Sequence, residues 1–203
     1  MKYFFLLHKK FPKLKHFDIS LNSLHSRNFF KAMENLKNLK ILDTNTNRFY
    51  EEGEEEKENF SEYRRGLIFD SLEELYLDRG CFSDATINLI SKYQLKKLKK
   101  LNLSGNNLTR LDLIEYIHSE NLEEIYLRNN RIKELSINTE FKGIKAIYLE
   151  NNIIDNIDNL NEFIKKFPYL QKIEILKNKF LFCENNDKIF NDIKKLKKNI
   201  EII

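Results

Sequence analysis

At 203 residues, 41% of them hydrophobic, the chain is long enough for one domain with a continuous core. Its 35 basic and 31 acidic residues sum to a net charge of +4, a mixed surface unlike that of a basic nucleic-acid binder. No apolar run reaches the length of a membrane span, and Tyr3 to Leu7 is too short for a signal-peptide core.

The chain begins MKYFFLLHKKF and runs into Pro12. Proline disfavours helical geometry in the residue before it, so a helix is predicted to end at Phe11. The string KKFP recurs at Lys165 to Pro168. One device therefore opens two units, and residues 1–13 are expected to form a helical cap.

From Leu14 the sequence reads LKHFDISLNSL, with apolar residues at places one, four, six and eleven and Asn22 at place nine. The pattern returns at Leu39 with Asn47, at Leu72 with Gly80 in place of asparagine, and at Leu98 with Asn106. It returns again at Leu122 with Asn130, at Ile144 with Asn152 and at Leu170 with Asn178. Places four and six are two apart, so in a strand they face one side while places three, five and seven face the other. An asparagine at place nine carries the donors and acceptor needed to satisfy backbone groups left in the turn. One such unit cannot bury its apolar face alone, so the units must stack. The expected fold is α/β: a leucine-rich-repeat solenoid, or horseshoe, of about seven repeats. Its concave side is a parallel sheet and its convex side carries helices. It forms a single domain, with repeats over 14–180, an acidic insertion at 50–60 and a helical cap over 181–203.

The linking segments follow in order. Ser26 to Leu36 carries Phe29, Phe30, Met33 and Leu36 at helical spacing, with Ser26 as N-cap. Glu51 to Glu58 is a run of glutamates broken by Gly53 and Lys57, which reads as a solvated loop. Ser83 to Tyr93 is predicted helical with Ile87, Leu89 and Ile90 inward. Thr109 to His118 is predicted helical, with Thr109 and Asp112 as a variant capping box. Glu134 to Gly143 reads as turns. Asn156 to Phe167 and Asp187 to Lys198 are predicted helices, and Ile200, Ile202 and Ile203 are expected to close the last coil.

No catalytic constellation stands out. His8, His16, His25 and His118 are scattered, with none at metal-ligand spacing from a cysteine. Cys81 lies in the turn of the third repeat and Cys183 just past the seventh, too far apart for a disulfide, which points to a reducing compartment. Cys81 is expected to pack as a small hydrophobe. The asparagine pairs Asn106-Asn107, Asn129-Asn130 and Asn151-Asn152 read as turn structure. No cofactor or metal is expected, and no enzyme.

The candidate site is the concave face. Place five runs Asp18, Asp43, Tyr76, Asn102, Tyr126, Tyr148, Glu174, and place seven includes Asp78, Arg128, Glu150 and Leu176. Tyrosine and arginine are enriched where proteins bind one another. The expected partner-binding residues are Tyr76, Asp78, Asn102, Tyr126, Arg128, Tyr148, Glu150 and Glu174.

The string LEELYLDRGCFSDATINLI from Leu72 to Ile90 resembles the repeats of tubulin-folding cofactor E, and so does Ile144 to Phe180. The helix at 159–167, the Phe-Pro exit and Asn178-Lys179-Phe180 are similar to that family's last repeat and cap, with Lys179 where the family has proline. The capping is also similar to that of spliceosomal A-prime-type and phosphatase-regulatory repeat proteins. The resemblance implies a cytosolic chaperone arm that binds tubulin without catalysis. That family usually adds a CAP-Gly domain before the repeats and a ubiquitin-like domain after them. The form implied here is a reduced one, a monomer outside its complex and free of membrane. The alternative is a structural or regulatory subunit of a large assembly such as a ribonucleoprotein. There nucleic acid would be met only within the assembly, through Lys92, Lys96, Lys97, Lys99 and Lys100 and the lysines of 194–198.

Overall fold

A computed structural model of the chain describes residues 4–24, 28–47, 68–84, 93–117, 119–182, 191 and 200–203. The core of each pattern forms a short strand: β1 (His16–Asp18), β2 (Ile41–Asp43), β3 (Glu74–Tyr76), β4 (Lys100–Asn102), β5 (Glu124–Tyr126), β6 (Ala146–Tyr148) and β7 (Lys172–Glu174). An eighth strand, β8 (Glu201–Ile202), follows where the sequence predicts only a closing coil. The eight form one sheet in chain order, every neighbouring pair parallel. The register aligns place four of each repeat, and Leu42, Leu75, Leu101, Ile125, Ile147 and Ile173 stack as a fully buried row.

The strands are short because the chain reverses at place eight. Leu21, Thr46, Arg79, Gly105, Asn129, Asn151 and Lys177 all lie at φ between 51° and 65°. This left-handed conformation costs a side-chain-bearing residue steric energy, and only Gly105 avoids it.

Place nine then ties each repeat to the one before. Asn106 accepts from the N–H groups of Gly80 and Phe82, both at 3.0 Å, and donates to the carbonyls of Leu77 and Leu103. Asn47, Asn130, Asn152 and Asn178 repeat the arrangement, each accepting from place eleven of the preceding repeat. Gly80 has no amide to offer, so the junction between the second and third repeats is bridged from the other side. Thr44 donates its hydroxyl to the Tyr76 carbonyl at 3.0 Å, and Asn45 Oδ1 accepts the Asp78 N–H at 2.6 Å.

Among the described residues, the convex links are less helical than the sequence suggests. A 3₁₀ turn (Phe4–Leu6) leads into α1 (Leu7–Lys10), and α2 spans Asn28–Met33. Phe29, Phe30, Met33 and Leu36 face the core as expected. The α3 helix covers only Leu160–Lys165 of the segment expected to be helical from Asn156, yet buries Leu160, Phe163 and Ile164. The segment from Thr109 is not an α-helix but a 3₁₀ turn (Asp112–Tyr116). Its expected capping box is absent because Thr109 N–H donates to Asp84 at 2.9 Å and Asp112 pairs with Arg110. The acidic run, Ser26, residues 85–92, Cys183 and most of the segment 187–198 lie outside the described residues. Cys81 is exposed at φ 60°, a correction to its expected packing: its backbone points the side chain out of the turn.

Candidate functional site: the concave face

Register brings all eight expected partner-binding residues onto one face. Tyr76, Asn102, Tyr126, Tyr148 and Glu174 are consecutive members of the place-five column. Asp78, Arg128 and Glu150 sit two residues further along their strands. All eight are half-buried.

Tyr126 and Tyr148 stack, their ring centroids 4.3 Å apart and their planes within 1°. Adjacent strands lie about 4.8 Å apart, so neighbours in one column are held at stacking distance by the backbone itself. The guanidinium of Arg128 lies 4.4 Å from the Tyr148 centroid and 5.7 Å from that of Tyr126. Arg128 Nε also donates to Glu174 Oε2 at 3.1 Å and approaches Glu150 at 3.6 Å. Lys172 adds a contact to Glu174 at 3.1 Å and lies 5.8 Å from the Tyr148 ring. Burial pushes the Glu174 carboxyl up, but hydrogen bonds from Arg128 and Lys172 outweigh it and hold the group below its ordinary range.

Two local devices divide the column. In two of the three repeats with tyrosine at place five, its hydroxyl reaches back to a glutamate at place three: Tyr76 donates to Glu74 at 2.6 Å, and Tyr126 donates to Glu124, whereas Tyr148 has Ala146 there. Burial, then the hydrogen bond to glutamate, raises the pKa of both phenols. Where place five is Asp or Asn, its side chain accepts the N–H of place seven, as Asp18 does from Ser20, Asp43 from Asn45 and Asn102 from Ser104, each at 2.9 Å. Asn102 therefore serves its own turn as well as lining the face. Glu74, Glu124 and Lys172 escaped the sequence reading. The period of two that selected the tyrosines places them on the same face, one step back.

The N-terminal part of the face differs. Asp18 and Asp43 are adjacent, and neither has a cation within ion-pair distance among the described residues. Burial, aided by the charges of Asp18 and Asp78, raises the Asp43 pKa. Along the strand entrances runs a separate charge ladder: Lys40 and Lys99 both bond Glu73, at 2.6 and 2.8 Å, and Lys145 meets Glu123 at 3.0 Å. The two lysines hold the Glu73 carboxyl down to about 2. Lys99 and Lys100, two of the lysines considered for contact with RNA, thus each pair with a glutamate of the chain, Lys100 lying 3.5 Å from Glu124. Among the described residues no group of His, Cys, Asp and Glu could hold a metal ion.

Comparison with known proteins agrees with this geometry. A family pattern described as leucine-rich repeats in two copies matches residues 96–140. Human lumican is 28% identical over 150 residues, covering 53% of this chain and 44% of lumican. Leucine-rich repeat and WD repeat-containing protein 1 of Xenopus laevis is 30% identical over 106 residues, covering 51% of this chain and 14% of that protein. The chain thus spans less than half of either relative. A solved leucine-rich-repeat protein of Leptospira interrogans superposes with a TM-score of 0.60 at 24% identity, over 94% of this chain and 48% of that one. With the eleven-place pattern laid strand by strand into one parallel sheet, the chain folds as a leucine-rich-repeat solenoid.

Proposed function

We propose that the chain is a non-enzymatic scaffold that docks another protein on its concave face. The observation that carries this is the Tyr126–Tyr148–Arg128 cluster. These residue types dominate binding energy at interfaces. Here stacking and ion pairs order them in advance, so little side-chain entropy remains to be lost on docking. A photo-cross-linking residue at position 126, and in a second sample at exposed Tyr169, tests the reading. Adducts with a partner from position 126 and none from 169 are expected. Adducts from 169 alone move the site off the sheet.

The similarity of Leu72 to Ile90 and of Ile144 to Phe180 to tubulin-folding cofactor E makes tubulin the first partner to measure. The chain then acts as a reduced chaperone arm in the cytoplasm, a monomer until it meets its partner. The exposed free thiol of Cys81 suits a reducing compartment. Among the described residues no helix is long and apolar enough to cross a membrane. Purified tubulin should bind, and Tyr148→Ala should weaken it about 30-fold, equivalent to about 2 kcal/mol. Absence of binding removes tubulin and leaves the docking face to be tested by the cross-links.

A further inference from the structure

The tyrosine column has a gap. Tyr76 and Tyr126 pair with opposite sides of Asn102 in register, so one short side chain separates two rings. Each tyrosine hydroxyl reaches the glutamate two residues back on its own strand, so both rings lean along their strands in the same sense. Two strand spacings put them roughly 9–10 Å apart. That is the width for one planar group stacked between two faces, as the adjacent Tyr126–Tyr148 pair fills a single spacing at 4.3 Å. The Asn102 side chain floors the gap and is held down by the bond its Oδ1 accepts from Ser104 N–H.

Charge selects the planar group. Lys100, at place three of the same strand, lies beside Glu124 at 3.5 Å. Glu74, on the Tyr76 side, accepts the Tyr76 hydroxyl and has no cation within ion-pair distance among the described residues. A guanidinium is planar, stacks on aromatic faces and bonds carboxylates through a fork, which an ammonium does not do. The chain's own Arg128 already takes this pose over Tyr148 and against Glu174.

We propose that the gap over Asn102 receives one arginine side chain of the docked partner, stacked between Tyr76 and Tyr126 and paired with Glu74. This rests on the concave face being the docking site and adds the chemistry of the segment that enters it.

The test uses the full chain and the peptide Gly-Gly-Arg-Gly-Gly, with citrulline and lysine versions beside it. Tyrosine ring resonances report binding. Saturable shifts at Tyr76 and Tyr126 are expected with the arginine peptide, with affinity at least fivefold above the citrulline and lysine versions. Asn102→Tyr should fill the gap and abolish the shifts at Tyr76. Place five carries tyrosine in three other repeats, so the fold should tolerate it, and circular dichroism checks this. Should that variant misfold, Tyr76→Leu keeps the bulk without the π face and should also lose binding. No saturable shift in the wild type, equal binding of citrulline, or unchanged binding to a folded Asn102→Tyr overturns the proposal. If position 126 cross-links a partner while arginine stays out of the gap, the slot falls and the docking face stands. If arginine enters the gap but only position 169 cross-links, the docking reading falls and the arginine site stands.

Discussion

The side-chain amide of Asn106 donates to the Leu77 carbonyl at 3.0 Å, 29 residues earlier in the chain. One amide thus satisfies backbone groups in two repeats, because its Oδ1 also accepts from Gly80 and Phe82. Asn106→Ala should cost roughly 1–3 kcal/mol, the penalty for stranding buried backbone groups. Asn22 offers the internal control. It is exposed and, among the described residues, bonds only Ile19 and Ser20 within its own turn, so Asn22→Ala should cost much less. Urea midpoints of the two variants decide it, and equal losses would count against the bridging role.

Gly80 invites a consensus repair that should fail. A Cβ there would meet the ring of Phe82 at 2.2 Å, and Phe82 is fully buried. Gly80→Asn restores the repeat pattern yet should lower stability by about 1–3 kcal/mol through overpacking. A raised melting temperature would show that the ring gives way.

The Tyr126–Tyr148 stack should be measurable by itself. A double-mutant cycle to alanine should return a coupling of about 0.5–1.5 kcal/mol. The value should be insensitive to salt, since neither ring is charged. A coupling near zero would mean the stack does not persist in solution.

Asp43 should make stability depend on pH in a direction opposite to a salt-bridged carboxylate. Burial first, then Asp18 and Asp78, raise its pKa in the folded state. The stability gained from its protonated form is complete below the ordinary value of roughly 3.9 and is lost as pH rises through the raised value. Asp43→Asn keeps an acceptor for Asn45 N–H, as Asn102 shows for Ser104. The variant should therefore be the more stable protein at pH 7, with its advantage shrinking as pH falls. Melting curves from pH 3 to pH 8 check this, and an advantage that grows in acid would refute it.

Leu21 is 80% exposed and lies at φ 56°. It carries the steric cost of a left-handed residue without any burial to offset it. Leu21→Gly should raise stability by up to about 1 kcal/mol. A lower urea midpoint would reveal packing by the leucine side chain.

Much of the fold was legible in the sequence because its determinants are periodic. The spacing of Leu101 and Leu103 sets a strand face, and Asn106 sets a turn, whatever lies nearby. Register then follows, so the column from Tyr76 to Glu174 could be written down before any coordinates. The links were less legible because packing against neighbours decides them. Thr109 looks like a helix cap, yet Asp84, 25 residues earlier, takes its hydrogen bonds. The left-handed place eight was hard to read because seven positions carry six residue types, of which only the glycine at 105 and the asparagines at 129 and 151 favour the conformation. The bonds from Tyr76 to Glu74 and from Tyr126 to Glu124 depend on side-chain lean, which spacing alone leaves open.

The place-nine asparagine bridges all point one way, from each repeat toward the one before it. That polarity makes the solenoid unequal under shortening. Trimming whole repeats from the N-terminal side leaves behind one side-chain amide that water can solvate, the condition Asn22 already occupies. Trimming from the C-terminal side removes the asparagine itself and strands a peptide N–H inside the new last turn, as losing Asn178 would do to Ile154, while the Leu149 carbonyl keeps its bond from Asn152. Proteolytic nibbling should therefore leave stable fragments that share a common C-terminal boundary and differ at their starts.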